Sequence, residues 1–301
     1  MKNTMIVIVG PTAAGKTNLS ISLAGHYQTE IISADSRQMF KEMKIGTAVP
    51  DEHQLRKVPH HFIQNKSIHE YFSASMFEEE ALSLSEKLFR KYSKVIMTGG
   101  SGLYINAFCH GIDDIPDVDE SVRNKLLTRL KDEGLESLRH ELKTMDPEYC
   151  KNADLNNPKR ILKALEVSIM TGRPYSSFLT RKKKKRDFHI IKVGVHVPRE
   201  LLYQRINERV DRMIEAGLVD EARALFPYKH LNALNTVGYK ELFQYFEEKI
   251  SWEEAVRLIK RNTRRYARRQ MTWFSHDKEV CWFAPEEKDE IIQYIENKHG
   301  Y

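Results

Sequence analysis

Apolar runs alternate with helical patterns over the first hundred residues. Residues Met5–Val9, Ile31–Ser33 and Lys94–Thr98 form mainly apolar runs, whereas Thr17–Ala24 and Ser75–Tyr92 carry apolar side chains at helical spacing. Continuous apolar runs are typical of strands that are buried on both faces of a parallel sheet. Because such strands alternate with helices here, the pattern predicts an α/β fold with a parallel sheet flanked by helices.

The pattern changes in the middle of the chain. From residue 117 to about residue 189 the apolar residues recur only at helical spacing, as in Leu126, Leu130 and Leu138. The strand pattern then returns at Ile190–Val197, and a helix is predicted over Glu200–Ala216. We therefore predict one α/β core, formed by residues 1–116 and 190–301, with an inserted all-helical domain at residues 117–189.

The positive charge is concentrated in two segments. The 301 residues carry a net charge of +6, from 48 basic and 42 acidic residues. Thirteen of the cations lie in Arg181–Arg186, which reads RKKKKR, and in Arg257–Arg269, and neither segment contains an acid. Without these thirteen, 35 basic residues remain against 42 acidic ones. Basic patches on an otherwise acidic chain predict a polyanionic partner.

Composition excludes several classes of protein. A hydrophobic fraction of 41% and a charged fraction of 30% are typical of a globular chain. The longest uninterrupted apolar run, Met5–Val9, is far shorter than the ~20 residues of a membrane-spanning helix. Cys109, Cys150 and Cys281 are odd in number and far apart, which fits neither a disulfide framework nor a four-cysteine zinc site. We expect a cytoplasmic protein that does not contact membranes.

A phosphate-binding loop is predicted after the first strand. The sequence GPTAAGKT matches G-x-x-x-x-G-K-[ST] at every fixed position, between a predicted strand and a predicted helix. In such loops the backbone N–H groups and the lysine bind phosphate oxygens, and the helix N-terminus also favours anions. The residues predicted to bind a diphosphate are Gly10, Pro11, Thr12, Ala13, Ala14, Gly15, Lys16 and Thr17. A loop of this kind most often binds ATP, so its surroundings must decide the ligand.

Two further segments follow predicted strands at the same edge of the sheet. Asp35 comes after Ile31–Ser33, and the glycine-rich segment Gly99–Gly102 comes after Lys94–Thr98. Ligands of open α/β sheets bind where the carboxyl ends of the strands meet. A carboxylate at this position could bind Mg²⁺ or accept a proton from a nucleophile. The alternatives are a solvated loop aspartate and a plain glycine turn.

Nine sequence blocks spread over nearly the whole chain carry a family resemblance. They are GPTAAGKT (Gly10–Thr17), ADSRQMF (Ala34–Phe40), IGTA (Ile45–Ala48), PHHF (Pro59–Phe62), GGSGLY (Gly99–Tyr104), NPKRILKALE (Asn157–Glu166), TGRP (Thr171–Pro174), VGYKEL (Val237–Leu242) and RRYARRQMTWF (Arg264–Phe274). Their order resembles the tRNA dimethylallyltransferases (tRNA isopentenyltransferases). No Cys-x-x-Cys or histidine pair follows Trp273, so the bacterial form of the family fits better.

The resemblance implies a P-loop NTPase-like core and a prenyl transfer. The dimethylallyl group of dimethylallyl diphosphate would move to the N6 amine of the adenosine 3′-adjacent to the tRNA anticodon. Lys16, Thr17 and the loop amides would stabilise the leaving diphosphate, with Mg²⁺ as the cofactor and Thr17 as its ligand. Arg209 would add a bidentate contact to the same anion. Asp35 is implied as the general base that accepts the amine proton.

The resemblance also implies a set of tRNA contacts. They are Asp35, Ser36, Arg37, Gln38, Ser101, Arg123, Lys159, Arg160, Ile161, Leu162 and Lys163. The helical spacing of Arg261, Arg264 and Arg268 places them on one face, where the lack of acids favours phosphate contacts over a solvated surface. On the same helix we expect Tyr266 and Trp273 to pack in the core. RKKKKR is expected in a loop, either contacting phosphates or disordered. We expect a monomer that binds the anticodon stem-loop.

Other functions remain open on the sequence alone. A related enzyme could transfer the same group to free AMP or ADP. A P-loop nucleotide kinase could use the same loop for ATP, with Asp35 activating a hydroxyl. A binding protein with an inactive loop is disfavoured because Lys16 and Thr17 are both present.

Overall fold

The computed structural model describes residues 3–116, 119–180 and 182–299 and divides into two compact units. The first unit comprises Met1–His110 and Lys185–Tyr301, and the second comprises Gly111–Lys184. The second unit therefore begins and ends a few residues before the predicted insertion at 117–189. Asp117, the first residue of that prediction, and Arg181 lie outside the described residues.

The first unit is built on one parallel sheet of six strands. The strands are β1 (Thr4–Val9), β2 (Ile31–Ser33), β3 (His60–His61), β4 (Lys94–Thr98), β5 (His189–Val195) and β6 (Val280–Phe283). Their order in the sheet is β3-β2-β4-β1-β5-β6, and every pairing is parallel. All six residues of the central strand β1 are buried, as its continuous apolar run predicts. The predicted α/β fold class is confirmed.

Within the described residues the chain forms thirteen α-helices. In chain order they are α1 (Lys16–Tyr27), α2 (Glu52–Lys57), α3 (Ala74–Phe89), α4 (Gly102–His110), α5 (Glu120–Asp132), α6 (Gly134–Met145), α7 (Pro147–Asn152), α8 (Pro158–Thr171), α9 (Arg199–Glu215), α10 (Leu218–Leu225), α11 (Tyr239–Phe246), α12 (Trp252–Ser275) and α13 (Lys288–His299). None of these helices is both long enough and apolar enough to cross a lipid bilayer.

The main core lies between the sheet and its helices. Ile6 and Ile8 of β1 pack with Ile96 of β4, Val193 of β5 and Leu23 of α1 in one buried cluster. Helices α1 and α4 follow β1 and β4 after short loops, so their first turns lie at the carboxyl edge of the sheet. This edge is where the sequence places its candidate chemistry.

The described residues of the second unit form helices joined by loops, with no strand. Leu126, Leu138 and Leu142 from α5 and α6 pack with Ile161 and Leu165 of α8, and all five are almost fully buried. Helix α8 begins with the side chain of Asn157 accepting the N–H of Lys159 and with Pro158 at its first position. It ends at Gly172, whose positive φ of 66° suits glycine. The NP and TGRP segments are therefore the start and stop of one helix.

Candidate active site

The 10–17 loop connects β1 to α1 through unusual backbone conformations. Gly10 has φ of 147°, and a Cβ at this position would lie 2.7 Å from the carbonyl oxygen of Val195 on the neighbouring strand β5. Gly15 has φ of 98° and precedes Lys16, the first residue of α1. Ala13 also has a positive φ, of 65°. The glycines therefore allow the loop to turn tightly against the sheet and lead into the N-terminus of a helix, where anions are stabilised.

Lys16 is directed back over its own loop. Its Nζ donates a hydrogen bond to the carbonyl oxygen of Pro11 at 2.7 Å. Burial lowers the pKa of Lys16 to about 8, with a further contribution from the nearby positive charge of Arg209, while Asp35 acts in the opposite direction. A bound anion would therefore stabilise the charged form of Lys16.

Arg209 of α9 faces the same cavity as Lys16. Burial lowers the pKa of Arg209, and the negative charge of Asp35 opposes that shift. Arg205, one helical turn earlier, also lines the cavity and has its Nη2 3.8 Å from a carboxylate oxygen of Glu286. The structure thus brings together Lys16, Arg209 and Asp35, three of the predicted catalytic residues.

Asp35 holds the backbone turn that follows β2. Its Oδ1 accepts the N–H groups of Arg37 at 2.9 Å and Gln38 at 3.2 Å. The hydroxyl of Ser101 accepts the N–H of Ser36 at 2.9 Å and donates to the Ser36 hydroxyl at 3.1 Å. Ser101 therefore joins the turn after β2 to the start of α4. The hydrogen bonds from the N–H groups of Arg37 and Gln38 fix the Asp35 carboxylate. They leave its second oxygen, Oδ2, available for chemistry.

Gln270 of α12 links the 10–17 loop to the glycine-rich segment after β4. Its Oε1 accepts the N–H of Thr12 at 2.8 Å, and its Nε2 donates to the carbonyl oxygen of Gly100 at 3.0 Å. A Cβ on Gly99 would lie 2.2 Å from the carbonyl oxygen of Ala34, so only glycine fits there. Sequence reasoning missed Gln270. The available signal was a polar residue on the apolar stripe of α12, beside Ala267.

These elements enclose a cavity of about 1090 Å³. It is lined by the 10–17 loop, the turn after β2, residues 46–51, α9 and one face of α12. The cationic side chains on its wall are those of Lys16, Arg37, Arg205, Arg209, Arg212 and Lys288. Carboxylates also line it, with Asp35 the one nearest in sequence to the strand edge. A cavity with this charge distribution can bind a diphosphate beside a carboxylate base.

The donor chemistry at the 10–17 loop fits Mg²⁺. Thr17 presents a hydroxyl at the start of α1, and Asp35 presents a carboxylate to the same cavity. Mg²⁺ prefers such oxygen ligands and is commonly held by one or two protein groups together with substrate phosphates. Among the described residues, one cluster of metal-ligating side chains is found elsewhere, formed by His110, Asp277 and Glu279.

That cluster is centred on an ammonium group. Lys192 Nζ lies 2.6 Å from Asp277, 2.8 Å from Glu279 and 3.0 Å from the His110 ring. Lys192 is 3% exposed, and its two carboxylate partners hold its pKa above the ordinary value against the effect of burial. The cluster is therefore an ion-pair network around a buried lysine, with Glu279 at the surface.

The cations of α12 differ in their environments. Arg268 is exposed, whereas Arg261 is half-buried and Arg264 donates to Asn207 of α9 at 2.6 Å. Two cations of the same segment are paired with acids from outside it: Arg257 with Glu254 at 2.6 Å and Lys260 with Asp211 at 2.6 Å. The seven cations of this segment were expected to have no acidic partner, and that expectation is wrong for these two. Of the other five, Arg261, Arg264 and Arg268 remain candidates for phosphate contacts.

The prediction that Tyr266 and Trp273 lie in the core is wrong. Tyr266 is 36% exposed and Trp273 is 51% exposed. The buried stripe of α12 consists instead of Ala255, Ile259, Ala267, Gln270 and Phe274. The Trp273 indole instead covers Gly102, where a Cβ would lie 2.3 Å from its Nε1. Both aromatic rings are therefore accessible to a ligand.

The tRNA-contact candidates of the second unit fall into two groups. Lys159 and Arg160 are exposed on α8, Lys163 is half-buried, and Arg123 of α5 lies 3.3 Å from the buried carboxylate of Glu166. Ile161 and Leu162 are 0% and 6% exposed within the helical core. Their side chains pack α8 against α5 and α6, so a tRNA contact at these two positions stays a prediction that would need the backbone.

The last residue of the basic run RKKKKR has a different environment from the described residues before it. Residues 182–185 are exposed. Arg186 instead donates to the carbonyl oxygens of Phe108 at 2.7 Å and Ala107 at 2.9 Å and forms an ion pair with Glu78 at 2.8 Å. Arg186 therefore anchors the chain to the first unit.

The sequence and structure were compared with known proteins. The sequence matches the family profile described as IPP transferase over residues 38–277. It is 53% identical over 299 residues to the tRNA dimethylallyltransferase of Christiangramia forsetii, covering 99% of both chains. It is 51% identical over 295 residues to tRNA dimethylallyltransferase 1 of Phocaeicola vulgatus, covering 98% of both.

Solved structures give the same relationship. The tRNA isopentenylpyrophosphate transferase of Bacillus halodurans superposes with a TM-score of 0.72 at 36% identity, covering 99% of this chain and 97% of that one. A eukaryotic dimethylallyltransferase acting on tRNA superposes with a TM-score of 0.77 at 25% identity, covering 95% of this chain and 74% of that one. From the match of the profile and of relatives along the full length, this chain belongs to the IPP transferase family.

Proposed function

We propose that this chain transfers a dimethylallyl group from dimethylallyl diphosphate to the N6 amine of the adenosine 3′-adjacent to a tRNA anticodon, with release of diphosphate. The observation that carries the proposal is the placement of the Asp35 carboxylate in one cavity with Lys16 and Arg209. Family membership and the names of the relatives support prenyl transfer to tRNA.

The donor would lie along the 10–17 loop. Its diphosphate accepts hydrogen bonds from the loop N–H groups and from Lys16, which exchanges the carbonyl oxygen of Pro11 for a phosphate oxygen. As the bond between the allylic carbon and oxygen breaks, the electron pair remains on the diphosphate. Lys16 and Arg209 stabilise the growing negative charge. Mg²⁺ bound by Thr17 would supply further positive charge at the leaving group.

The acceptor adenine would enter beside Asp35. Its exocyclic nitrogen attacks the allylic carbon, forms the new carbon–nitrogen bond and loses one proton. Oδ2 of Asp35 accepts that proton, because Oδ1 is held by the N–H groups of Arg37 and Gln38. A base in the anticodon loop must leave its stack to reach this depth. Asp35, Arg37 and Gln38 line the wall that would receive it, and Ser36 lies between the first two in the chain.

RNA binding would rest on phosphate contacts in each unit. In the first unit the candidates are Ser101, Arg261, Arg264 and Arg268. In the second unit they are Arg123, Lys159, Arg160 and Lys163. Such contacts supply affinity without reading sequence. We propose that the protein works in the cytoplasm, where its tRNA substrate is found; a monomeric state stays a prediction.

Nucleoside mass analysis of tRNA tests the proposal. Unmodified tRNA is incubated with the protein, Mg²⁺ and dimethylallyl diphosphate, and the nucleosides are separated after digestion. We expect one new adenosine derivative, heavier by a dimethylallyl group in place of one hydrogen. Prenylation of free AMP instead of tRNA would support the mononucleotide enzyme, and ATP consumption stimulated by an acceptor would support a kinase.

A further inference from the structure

Two sequence blocks with no part in the proposed chemistry meet at one wall of the cavity. Ile45–Ala48, the IGTA block, belongs to a turn over residues 44–48, and Val237–Leu242, the VGYKEL block, leads into α11. Gly46 and Thr47 of the turn and Val237 and Gly238 of the second block line the cavity that holds Lys16 and Asp35. The contact between the blocks depends on Glu221, which lies on α10.

The Glu221 carboxylate accepts four hydrogen bonds. Oε2 accepts the backbone N–H groups of Lys44 at 2.8 Å and Ile45 at 2.7 Å. Oε1 accepts the backbone N–H of Gly46 at 2.8 Å and the hydroxyl of Tyr239 at 2.7 Å. None of these four donors is a cation, and three of them are consecutive amides of the 44–48 turn. One carboxylate therefore determines where this turn sits.

Tyr239 supports the turn from below. Its side chain is 0% exposed, and burial together with Glu221 raises the pKa of its hydroxyl, which keeps it a hydrogen-bond donor. A Cβ on Gly46 would lie 2.5 Å from ring carbon Cζ of Tyr239, so the ring leaves no room for a side chain at position 46. The glycine of IGTA and the tyrosine of VGYKEL therefore require one another.

The 44–48 turn also accepts hydrogen bonds from a residue close to Asp35. The carbonyl oxygens of Thr47 and Ala48 accept hydrogen bonds from Nε2 of Gln38, at 3.2 and 3.0 Å. The N–H of Gln38 is one of the two donors to Oδ1 of Asp35. A continuous path of hydrogen bonds thus runs from Glu221 through the 44–48 turn and Gln38 to the proposed general base.

We propose that Glu221, assisted by Tyr239, is a positioning residue for the acceptor side of the site. By holding the 44–48 turn it fixes Gln38, and through Gln38 it orients the Asp35 carboxylate toward the acceptor amine. The inference rests on the prenyl transfer of the proposed function. No hydrogen bond in this path involves the 10–17 loop, so binding of the diphosphate is independent of Glu221.

The test compares the effect of a Glu221 substitution on prenyl transfer with its effect on diphosphate binding. Glu221→Gln replaces one acceptor oxygen by an amide N–H₂, which faces backbone donors and cannot accept from them. We expect kcat with tRNA to fall by about 10- to 10²-fold, the size of effect that a displaced catalytic group produces. The dissociation constant of diphosphate, measured by calorimetry without tRNA, should change by less than about twofold.

Three further variants keep the test decisive if Glu221→Gln folds poorly. Tyr239→Phe retains the ring beneath Gly46 and removes one of the four donors, so a loss of only a few-fold is expected. Gly46→Ala displaces the same turn without changing any charge, and it should reproduce the large loss in kcat with intact diphosphate binding. Glu221→Asp keeps the carboxylate but shortens its reach, and should give an intermediate kcat.

Glu30→Gln is the matched control. The Glu30 carboxylate also accepts from neighbours, Tyr92 at 2.9 Å and the His61 ring at 2.6 Å, but it lies at the amino end of β2, opposite Asp35. It should lower the unfolding temperature and leave kcat unchanged at a temperature where it is folded. Equal kcat for Glu221→Gln and Glu30→Gln would overturn the inference. Wild-type protein that fails to prenylate tRNA would instead overturn the proposed function.

Discussion

At the scale of single residues, Asp35 has two roles that one substitution can separate. Oδ1 holds the backbone turn by accepting from Arg37 and Gln38, while Oδ2 is the proposed proton acceptor. An asparagine can retain the first role through its carbonyl oxygen, but it cannot act as a base at neutral pH. The substitution therefore removes the chemistry and keeps the geometry.

We expect Asp35→Asn to lower kcat by about 10²–10⁴-fold, the usual contribution of a general base. Diphosphate affinity should stay close to that of the wild type, because the anion is held by Lys16, Arg209 and the loop. Single-turnover prenylation and calorimetry with diphosphate give the two quantities. Parallel losses in both would show that Asp35 acts as a metal ligand and not as the base.

The pKa of Lys16 predicts how diphosphate affinity depends on pH. In the ligand-free protein the ammonium group titrates at about 8, because of burial and the charge of Arg209. A bound diphosphate stabilises the charged form, so above about pH 8 the complex holds more protons than the free protein. Affinity should therefore fall as pH rises from 8, by at most about tenfold per pH unit.

The measurement is the dissociation constant of diphosphate between pH 7 and pH 9.5. Lys16→Met keeps a linear side chain without a charge. The pH dependence of its diphosphate affinity therefore reflects the ionisation of the ligand alone. We expect weaker binding in this variant and no loss of affinity above pH 8. A wild-type curve parallel to that of Lys16→Met would contradict the assignment of Lys16 as the titrating cation.

At the scale of elements, the strongly apolar strands and the motif-bearing helix were predictable. β1, β2 and β4 lie where their apolar runs predict, and α1 begins at the lysine of the predicted loop. β3 consists of His60 and His61, and β6 is four residues long, so neither is long enough to show a period. Both strands exist because the sheet pairs them, which is a tertiary effect.

The candidate site likewise contains some residues that the sequence predicted and others that it did not. Lys16, Asp35 and Ser101 were predicted because each lies in a compact motif at the end of a strand. Gln270 and Glu221 were not, because each contacts backbone that is more than 150 residues away in the chain. Backbone acceptors and donors carry no residue identity, so these long-range contacts leave no signal in the sequence.

Gly99 and Gly25 should differ sharply in their tolerance of a side chain, because two loops approach each other closely at Gly99. A Cβ on Gly99 would lie 2.2 Å from the Ala34 carbonyl oxygen, whereas nothing lies within 4 Å of a Cβ on Gly25 in α1. Gly99→Ala should lower the free energy of unfolding by about 1–3 kcal/mol. Gly25→Ala should raise it by about 0.5–1 kcal/mol, because alanine favours helices.

Denaturant unfolding of both variants gives these values. Because Gly99 contacts the residue before Asp35, Gly99→Ala should also reduce kcat at temperatures where the protein is folded. Gly25→Ala should retain wild-type kcat. A Gly99→Ala protein as stable and as active as the wild type would show that the two loops separate readily.

Three cations of α12 predict a salt-dependent affinity for RNA. We expect Arg261, Arg264 and Arg268, replaced together by glutamine, to weaken tRNA binding. The dependence of log affinity on log salt should flatten by about 0.7–0.9 for each phosphate that the variant no longer neutralises. Arg257→Gln serves as the control, because Arg257 is already paired with Glu254. An unchanged salt slope in the triple variant would identify this helix face as solvated surface.

At the scale of the whole molecule, we expect the two units to supply different parts of acceptor binding. The cavity for donor and base belongs entirely to the first unit, whereas exposed cations of α8 belong to the second. A mononucleotide lacks the further phosphates that the cations of α8 would bind in tRNA. On this proposal AMP would lose most of the acceptor's binding free energy, including the part that extracts and orients the base.

We expect tRNA, or its anticodon stem-loop, to be prenylated and AMP to be neither substrate nor effective competitor at equal concentration. Replacing Lys159 and Arg160 by glutamine should raise KM for tRNA by about tenfold, since each substitution removes a favourable ionic interaction with a phosphate. Diphosphate affinity should be unchanged, because its ligands lie in the first unit. If AMP is prenylated as efficiently as the stem-loop, and the α8 variant leaves KM for tRNA unaltered, the second unit does not bind the acceptor and the enzyme modifies free nucleotides.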